Sequence, residues 1–281
     1  MVILSHRIAD INKTNYIAEA VQKTASFFYP SPSQSIKKMD PIQSTFFQNI
    51  IERRRSNRRF AADIPVPDAV IEKALQHAIL APNSSNMQCW EFYWIRSAEE
   101  KERFASYCLG QGAGRTAQQL VVFVTRGDLW KKRAHWNKAR IQQSIEGEAT
   151  KLQKRGLDYY GKLMPLAYAN DPFGFLTLVR RSISFFGGLR KPFMRFGGKA
   201  DQRITVHKSC ALAAENFMLS IAAADFDSCP MEGFDAKRVK KALGLPCGAE
   251  INMTIGVGKG TSEGVWGPRF RIPYEEVVKV I

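Results

Sequence analysis

The sequence is poor in the residues that announce a simple chemistry. It has only five cysteines and four histidines in 281 positions. Cys89, Cys108, Cys210, Cys229 and Cys247 form no CxxC pair and are odd in number, which excludes a disulfide scaffold. Scattered buried thiols in a reducing cytoplasm are expected instead. His6, His77, His135 and His207 share no ligand spacing with one another or with the cysteines, so no metal is expected. No apolar run approaches the roughly 18 residues of a membrane span. Residues 1–16 lack a basic start, a long apolar stretch and a small-residue cleavage site, and no signal peptide is expected. There is no Walker sequence, no HExxH and no GxSxG. GQGAGR at 110–115 resembles a dinucleotide loop but follows a helical pattern, not a strand, so a Rossmann fingerprint is rejected.

Acidic residues are scarce too: 26, against 41 lysines and arginines, leave a net charge of +15. The excess is concentrated, because residues 131–199 hold 15 bases and 4 acids, a net +11. Such a balance suits phosphate-bearing partners: nucleic acid, an anionic membrane surface or a phosphorylated small molecule. With 45% apolar and 24% charged residues the chain is otherwise ordinary, which excludes disorder along its whole length.

Residues 1–39 end in PSPSQS and read as an N-terminal extension; residues 40–281 form the main domain. Asp40-Pro41 opens a helix as cap and first-turn proline, with Ile42, Phe46, Ile50 and Ile51 on one face. A second helix after Val66-Pro67-Asp68 carries Ile71, Leu75, Ala78 and Ile79 and stops before Pro82. WEFYWIRS and LVVFVT read as strands flanking a short charged helix at 98–108. A long basic helix is expected at 131–155, followed by a stretch mixing phenylalanine with arginine. KSCALAAENFMLSIAAA at 208–224 predicts a buried helix. SCPMEGFD predicts a turn, Asp235 a cap for the next helix, Gly244 its end, and INMTIGVG a last core strand. The expected fold class is α+β: a small central β-sheet flanked by helices.

Four segments carry candidate chemistry. Arg54, Arg55, Ser56 and Arg58 end the first helix, where guanidinium groups complement the dipole but also suit a phosphate. Pro82, Ser84, Asn86 and Gln88 lie in a loop with more polar side chains than a turn requires, suiting either Asx turns or a flat multi-acceptor heterocycle. Pro230, Met231, Glu232 and Gly233 form a tight turn where glycine also lets a ligand approach the backbone. Arg269 and Arg271 alternate near the C-terminus, on a solvated edge or facing one anion.

RRRSNRRF, APNSSNMQCWEF, AAENFMLSIAAADFDSCPMEGFD and PRFRIP, in this order, resemble the nitroreductase family of flavin enzymes over about 42–128 and 204–275. The resemblance implies a homodimer with an extended C-terminal arm, holding FMN at the subunit interface. It implies that Arg54, Arg55, Ser56 and Arg58 hold the phosphate, ribityl chain and N1–O2 edge. Pro82, Ser84, Asn86 and Gln88 would come from the partner subunit; Asn83 stands where serine is common. Pro230, Met231, Glu232 and Gly233 would cover one flavin face, the Glu232 and Gly233 backbone approaching N5 and O4. Arg269 and Arg271 would reach the phosphate. Gln111 matches an amide some relatives place before the second strand; their lysine is missing, and Arg115 is the substitute this sequence offers.

The implied reaction is ping-pong hydride transfer from NAD(P)H through the flavin to a nitroaromatic, quinone or similar acceptor in the cytoplasm, with no side chain as general acid. A dehalogenating or flavin-modifying member of the same fold is the alternative. More remote is a non-catalytic basic module binding nucleic acid or membrane, which would not need the Asn/Ser/Gln loop. No nucleic acid is therefore expected as partner. The insertion at about 130–200 falls where the family varies most. We read Phe173, Phe175, Phe185 and Phe186 as a pocket lid, with Arg180, Arg181, Arg190, Lys191 and Arg195 attracting an anionic substrate or the extra phosphate of NADPH. A plain solvated face ranks behind, and a membrane-surface patch through 173–196 third.

Overall fold

The computed structural model describes residues 41–189, 191–195 and 197–281. The expected extension at 1–39, its Asp40 cap and Arg190 lie outside the described residues. Helices α1 (Pro41–Arg53) and α2 (Asp68–Ile79) precede strand β1 (Trp90–Ile95). Helix α3 (Ala98–Tyr107) and the single turn α4 (Gly112–Arg115) lead to β2 (Gln119–Thr125). The insertion holds α5 (Trp130–Gln143), α6 (Lys151–Asp158), a π turn (Tyr159–Leu163), α7 (Met164–Tyr168) and α8 (Phe175–Gly187). Then follow α9 (Lys199–Ala223), β3 (Asp227–Met231), α10 (Ala236–Ala242), β4 (Glu250–Gly258) and α11 (Tyr274–Val277).

The strands form one antiparallel sheet in the order β1-β2-β4-β3, and the α+β expectation holds. β2 explains why its sequence does not alternate. Val121 and Phe123 join a core with Ile71 and Ala74 of α2 and Phe217 and Ile221 of α9. Leu120, Val122 and Val124 join a second core with Phe104 and Cys108 beside α3 and Val239 of α10. Both faces of the strand are covered, so every position from 120 to 124 is apolar, each such side chain contributing about 1.5–3 kcal/mol. Local chemistry sets the ends: Asp235 accepts from the Arg238 N–H at 3.0 Å, and Gly244 closes α10 at φ 62°.

Several expectations need correction. The helix expected at 131–155 breaks after Gln143 and restarts at Lys151, with Gly147 between at φ 79° and Thr150 capping the second piece. The helix expected from 208 starts at Lys199, where the Asp201 carboxylate takes the Gly197 and Gly198 N–H groups. Residues 227–231 form an edge strand, not a turn; Pro230 is tolerated there because an edge need not donate on both sides. Ile42, Phe46 and Ile51 of α1, and Ile79 of α2, are exposed in the protomer although their spacing suggests burial.

Four cysteines are buried as expected, but Cys247 is exposed. Burial pushes the Cys89 and Cys210 thiols up to about 12. Iodoacetamide at pH 8 is therefore expected to label Cys247 alone, at least about tenfold faster than the other four, because only thiolates react. Peptide mapping checks this; equal labelling of Cys89 would contradict its burial.

Candidate functional site: a guanidinium cluster and a strained loop

The first arginine of RRRSNRRF is a fastener. Arg53 donates to the Ala222 and Phe226 carbonyls at 2.9 and 2.8 Å and pairs with Asp225 at 2.9 Å, fixing the end of α1 to the end of α9. The chain beyond it is locked to the sheet edge. Ser56 bridges Ser228 of β3, and the Asn57 N–H donates to the Ser228 carbonyl at 3.2 Å. The Asn57 side chain is buried, donating to the Thr261 carbonyl at 3.0 Å and accepting the Arg59 N–H at 3.1 Å. A Cβ on Gly264 would stand 1.7 Å from its Oδ1, so glycine there is a requirement of space. Sequence reasoning missed Asn57; the two glycines at 260 and 264 facing it were the available signal.

This clasp presents the predicted cations together. Arg269 donates to the Arg54 and Glu52 carbonyls, each at 2.7 Å, and Arg55 to the Gly267 carbonyl at 2.9 Å. Arg58 lies 4.2 Å over the ring of Trp266, a second residue sequence reasoning missed. The Arg269 guanidinium is held below the ordinary arginine value, first by desolvation and then by Arg271, Arg55 and Arg54. Like charges gathered this closely are a poor arrangement for an empty surface and a good one for an anion.

The third segment reaches the same place. Gln111 Nε2 donates to the Gly233 carbonyl at 2.6 Å, and a Cβ on Gly112 would stand 2.8 Å from the Arg58 carbonyl oxygen. Within GQGAGR, Gly112 thus stands where backbone packs on backbone and Gly110 supplies a φ of 65°, and Arg115 ends the single turn. Pro230 and Met231 lie in β3, Met231 buried, while Glu232 and Gly233 are exposed beyond it.

The loop at 82–88 is placed elsewhere. Trp90 pairs with Thr125, and Thr125 with Glu250 at the start of β4, whereas Ser228 pairs with Val257 near its end. At about 3.3 Å per residue the two groups are separated by roughly 20 Å along one protomer's sheet. The loop is strained: Ser85, Asn86 and Gln88 have φ of 55°, 49° and 47°. The insertion holds it there. Tyr159 Oη lies 2.6 Å from Ser85 Oγ, Tyr160 donates to the Ser85 carbonyl at 3.0 Å, and Asn137 donates to the Asn86 carbonyl at 2.8 Å. The Asn83 side chain accepts the Gln88 N–H at 2.8 Å, closing the loop, and the Ser84 N–H donates to Ser209 at 3.2 Å. Pro82 and Ser84 are exposed. Met87 and Cys89 enter a third core cluster with Tyr160, Met164 and Tyr168. Burial pushes the Tyr160 phenol up to about 12, so both tyrosines serve as neutral hydrogen-bonding groups.

Two of the expected anion-attracting arginines are spent inside the insertion. Arg180 is buried and donates to the carbonyls of Leu166, Ala169 and Gly197 at 3.1, 2.6 and 3.1 Å. Arg195 donates to the Ser184 and Gly188 carbonyls at the end of α8. Phe173, Phe175, Phe185 and Phe186 are exposed, so within one protomer they enclose no pocket.

The chain is thus an antiparallel four-stranded α+β fold with guanidinium groups gathered at one edge of its sheet. The nitroreductase family model matches residues 51–259, and the chain belongs to that family. It is 28% identical over 226 residues to NADH dehydrogenase of Thermus thermophilus, covering 80% of this chain and 91% of that protein. It is 26% identical over 233 residues to MhqN of Bacillus subtilis, named as an NAD(P)H nitroreductase, covering 83% and 98%. A protein from Exiguobacterium sibiricum solved in complex with FMN shares the fold at a TM-score of 0.57 and 19% identity, covering 84% of this chain and 97% of that one.

Proposed function

We propose that this chain is an FMN-dependent oxidoreductase that takes hydride from NAD(P)H and delivers it to a nitroaromatic, quinone or similar small acceptor. One observation carries the reading: separated stretches at 54–58, 111, 230–233 and 269–271 meet on one edge of the sheet. The donor set fits a phosphate-bearing flavin, with guanidinium for the phosphate, the Ser56 hydroxyl for the ribityl chain and main chain at Gly233 for the ring. Family membership and the relatives named above support the same cofactor and donor. FMN, when bound, supplies the hydride acceptor and donor position that no side chain here provides.

Arg54, Arg55, Arg269 and Arg271 bind and orient the phosphate. Arg58, flattened on Trp266, is a fixed charge that favours electron density at the N1–O2 edge. Gln111 positions the Gly233 carbonyl and with it the adjoining amides. Pro82, Ser84, Asn86 and Gln88 reach a flavin only from a second copy, since in one protomer they stand at the far end of β4. The exposed Phe46, Phe47 and Ile51 of α1 and Phe270, Ile272 and Tyr274 of the tail support a homodimer, being apolar surface that a second copy would bury.

The test is an absorbance spectrum of purified protein followed by anaerobic NADPH. A bound chromophore absorbing near the flavin bands and bleaching on addition is expected; colourless protein that takes up no added FMN would refute the proposal. Bound FMN that resists both NADH and NADPH would favour the specialised flavin or dehalogenation chemistry.

A further inference from the structure

The helix α8 is built inside out. Its polar side chains Arg180, at 6% exposure, and Ser184 face the protein, each hydrogen-bonded to main-chain carbonyls. Its largest apolar ones face solvent, with Phe175 65% exposed, Leu178 62% and Phe186 66%, and Leu189 just beyond at 65%, while Leu176, Val179 and Ile183 are half-buried. At 100° per residue Phe175, Leu178, Phe186 and Leu189 fall on a single stripe about 80° wide. The orientation is fixed, not a rotation that water would reverse. Turning the helix would strand a guanidinium that satisfies the carbonyls of Leu166, Ala169 and Gly197. Asp171 anchors the near end by accepting the Phe175 and Leu176 N–H groups at 2.8 Å, and Arg195 holds the far end.

The charge around the stripe is mostly of one sign, the Asp171 and Asp201 carboxylates at its two ends being turned to main-chain N–H groups. Residues 172–199 carry six lysines and arginines and no carboxylate. Arg180 and Arg195 are turned to carbonyls, while Arg181 and Lys199 are exposed. An amphipathic helix with phenylalanine and leucine outward and cations beside them is what an anionic bilayer interface accepts, the rings entering below the headgroups and the cations meeting phosphate.

We propose that α8 and the turn after it dock this protein onto an anionic membrane surface, as a peripheral contact separate from the guanidinium cluster at 54–58 and 269–271. No helix among the described residues is long and apolar enough to span, so the contact is of the kind that lies on the surface.

Co-sedimentation of the full-length protein with vesicles tests this. Vesicles of 40% phosphatidylglycerol in phosphatidylcholine should bring down the protein at 0.1 M salt, and pure phosphatidylcholine vesicles at least tenfold less. The double variant Leu178→Glu/Phe186→Glu should lose at least tenfold in partition to the anionic vesicles while keeping its helical circular dichroism and melting temperature. Arg181→Glu/Lys199→Glu should lose binding and flatten its salt dependence. Failure of the wild type to sediment with anionic vesicles, or equal sedimentation of the Leu178/Phe186 variant, overturns the proposal. If the wild type stays in solution while that variant changes KM for a soluble acceptor, α8 is a lid over a partner's site. If the variant instead shifts the oligomer in size-exclusion chromatography without vesicle binding, the stripe is a subunit contact.

Discussion

Protein carrying Arg54→Ala and Arg58→Ala is expected to purify without flavin and to melt within a few degrees of the wild type. Each charged hydrogen bond to the cofactor is worth about 1.5–3 kcal/mol. Losing two costs roughly 3–6 kcal/mol, or about 10²–10⁴ in affinity. The fold should survive, because neither side chain holds an element. Arg54 makes a distant pair with Glu215 at 3.9 Å, and Arg58 rests on the exposed ring of Trp266. The fasteners are Arg53, through its main-chain partners, and Asn57. Flavin absorbance per polypeptide and calorimetric titration with FMN read the result. Full retention of cofactor would remove the phosphate assignment.

The second large effect concerns Gly264→Ala, one methyl in a place without room. That methyl would meet Asn57 Oδ1 at 1.7 Å and the Arg59 nitrogen at 2.7 Å. Neither neighbour can retreat cheaply, because the same amide side chain holds the Thr261 carbonyl and the Arg59 N–H. Overpacking of this kind costs about 3 kcal/mol, which lowers the melting temperature of a chain this size by roughly 6–12 °C. Weaker flavin retention should accompany it, since the displaced segment carries Arg58, whose N–H donates to the Gly264 carbonyl at 2.8 Å. Alanine at Gly267, whose Cβ would meet nothing within 4 Å, should cost much less, the remainder being the strain of its φ of 75°. Thermal denaturation of both variants, followed by circular dichroism, separates the two causes. Equal melting temperatures would show that space at 264 does not decide.

The sheet and the packed helices were legible because apolar periodicity and end signals agree at these places. WEFYWI, LVVFVT and INMTIGVG run to strand length between breakers, and Asp235 with Gly244 brackets α10. The cluster was legible as an ordered set of segments, but not as geometry, since chain order does not say which segments share a sheet edge. The ladder between β3 and β4 and the Ser56–Ser228 bridge supply that information. Where the reading failed, a local rule met a tertiary one. Composition marks Arg180 as a surface cation, yet four carbonyl and amide oxygens that accept from it make the interior the better place. The apolar residues of α1 have the spacing of a core-facing stripe, but Ile42, Phe46 and Ile51 are exposed in the protomer. The π turn at Tyr159–Leu163 leaves no sequence mark, although it sets two successive phenols on Ser85.

That pair of phenols bears on how such proteins diverge. Met87 and Cys89 share a core with Tyr160, Met164 and Tyr168, so the loop at 82–88 and the insertion are halves of one packed unit. Swapping residues 130–170 between homologous enzymes would transplant half a jigsaw. A chimera becomes workable only when 82–89 travels along with it, and evolution of acceptor preference through this region must proceed by paired replacements on both segments.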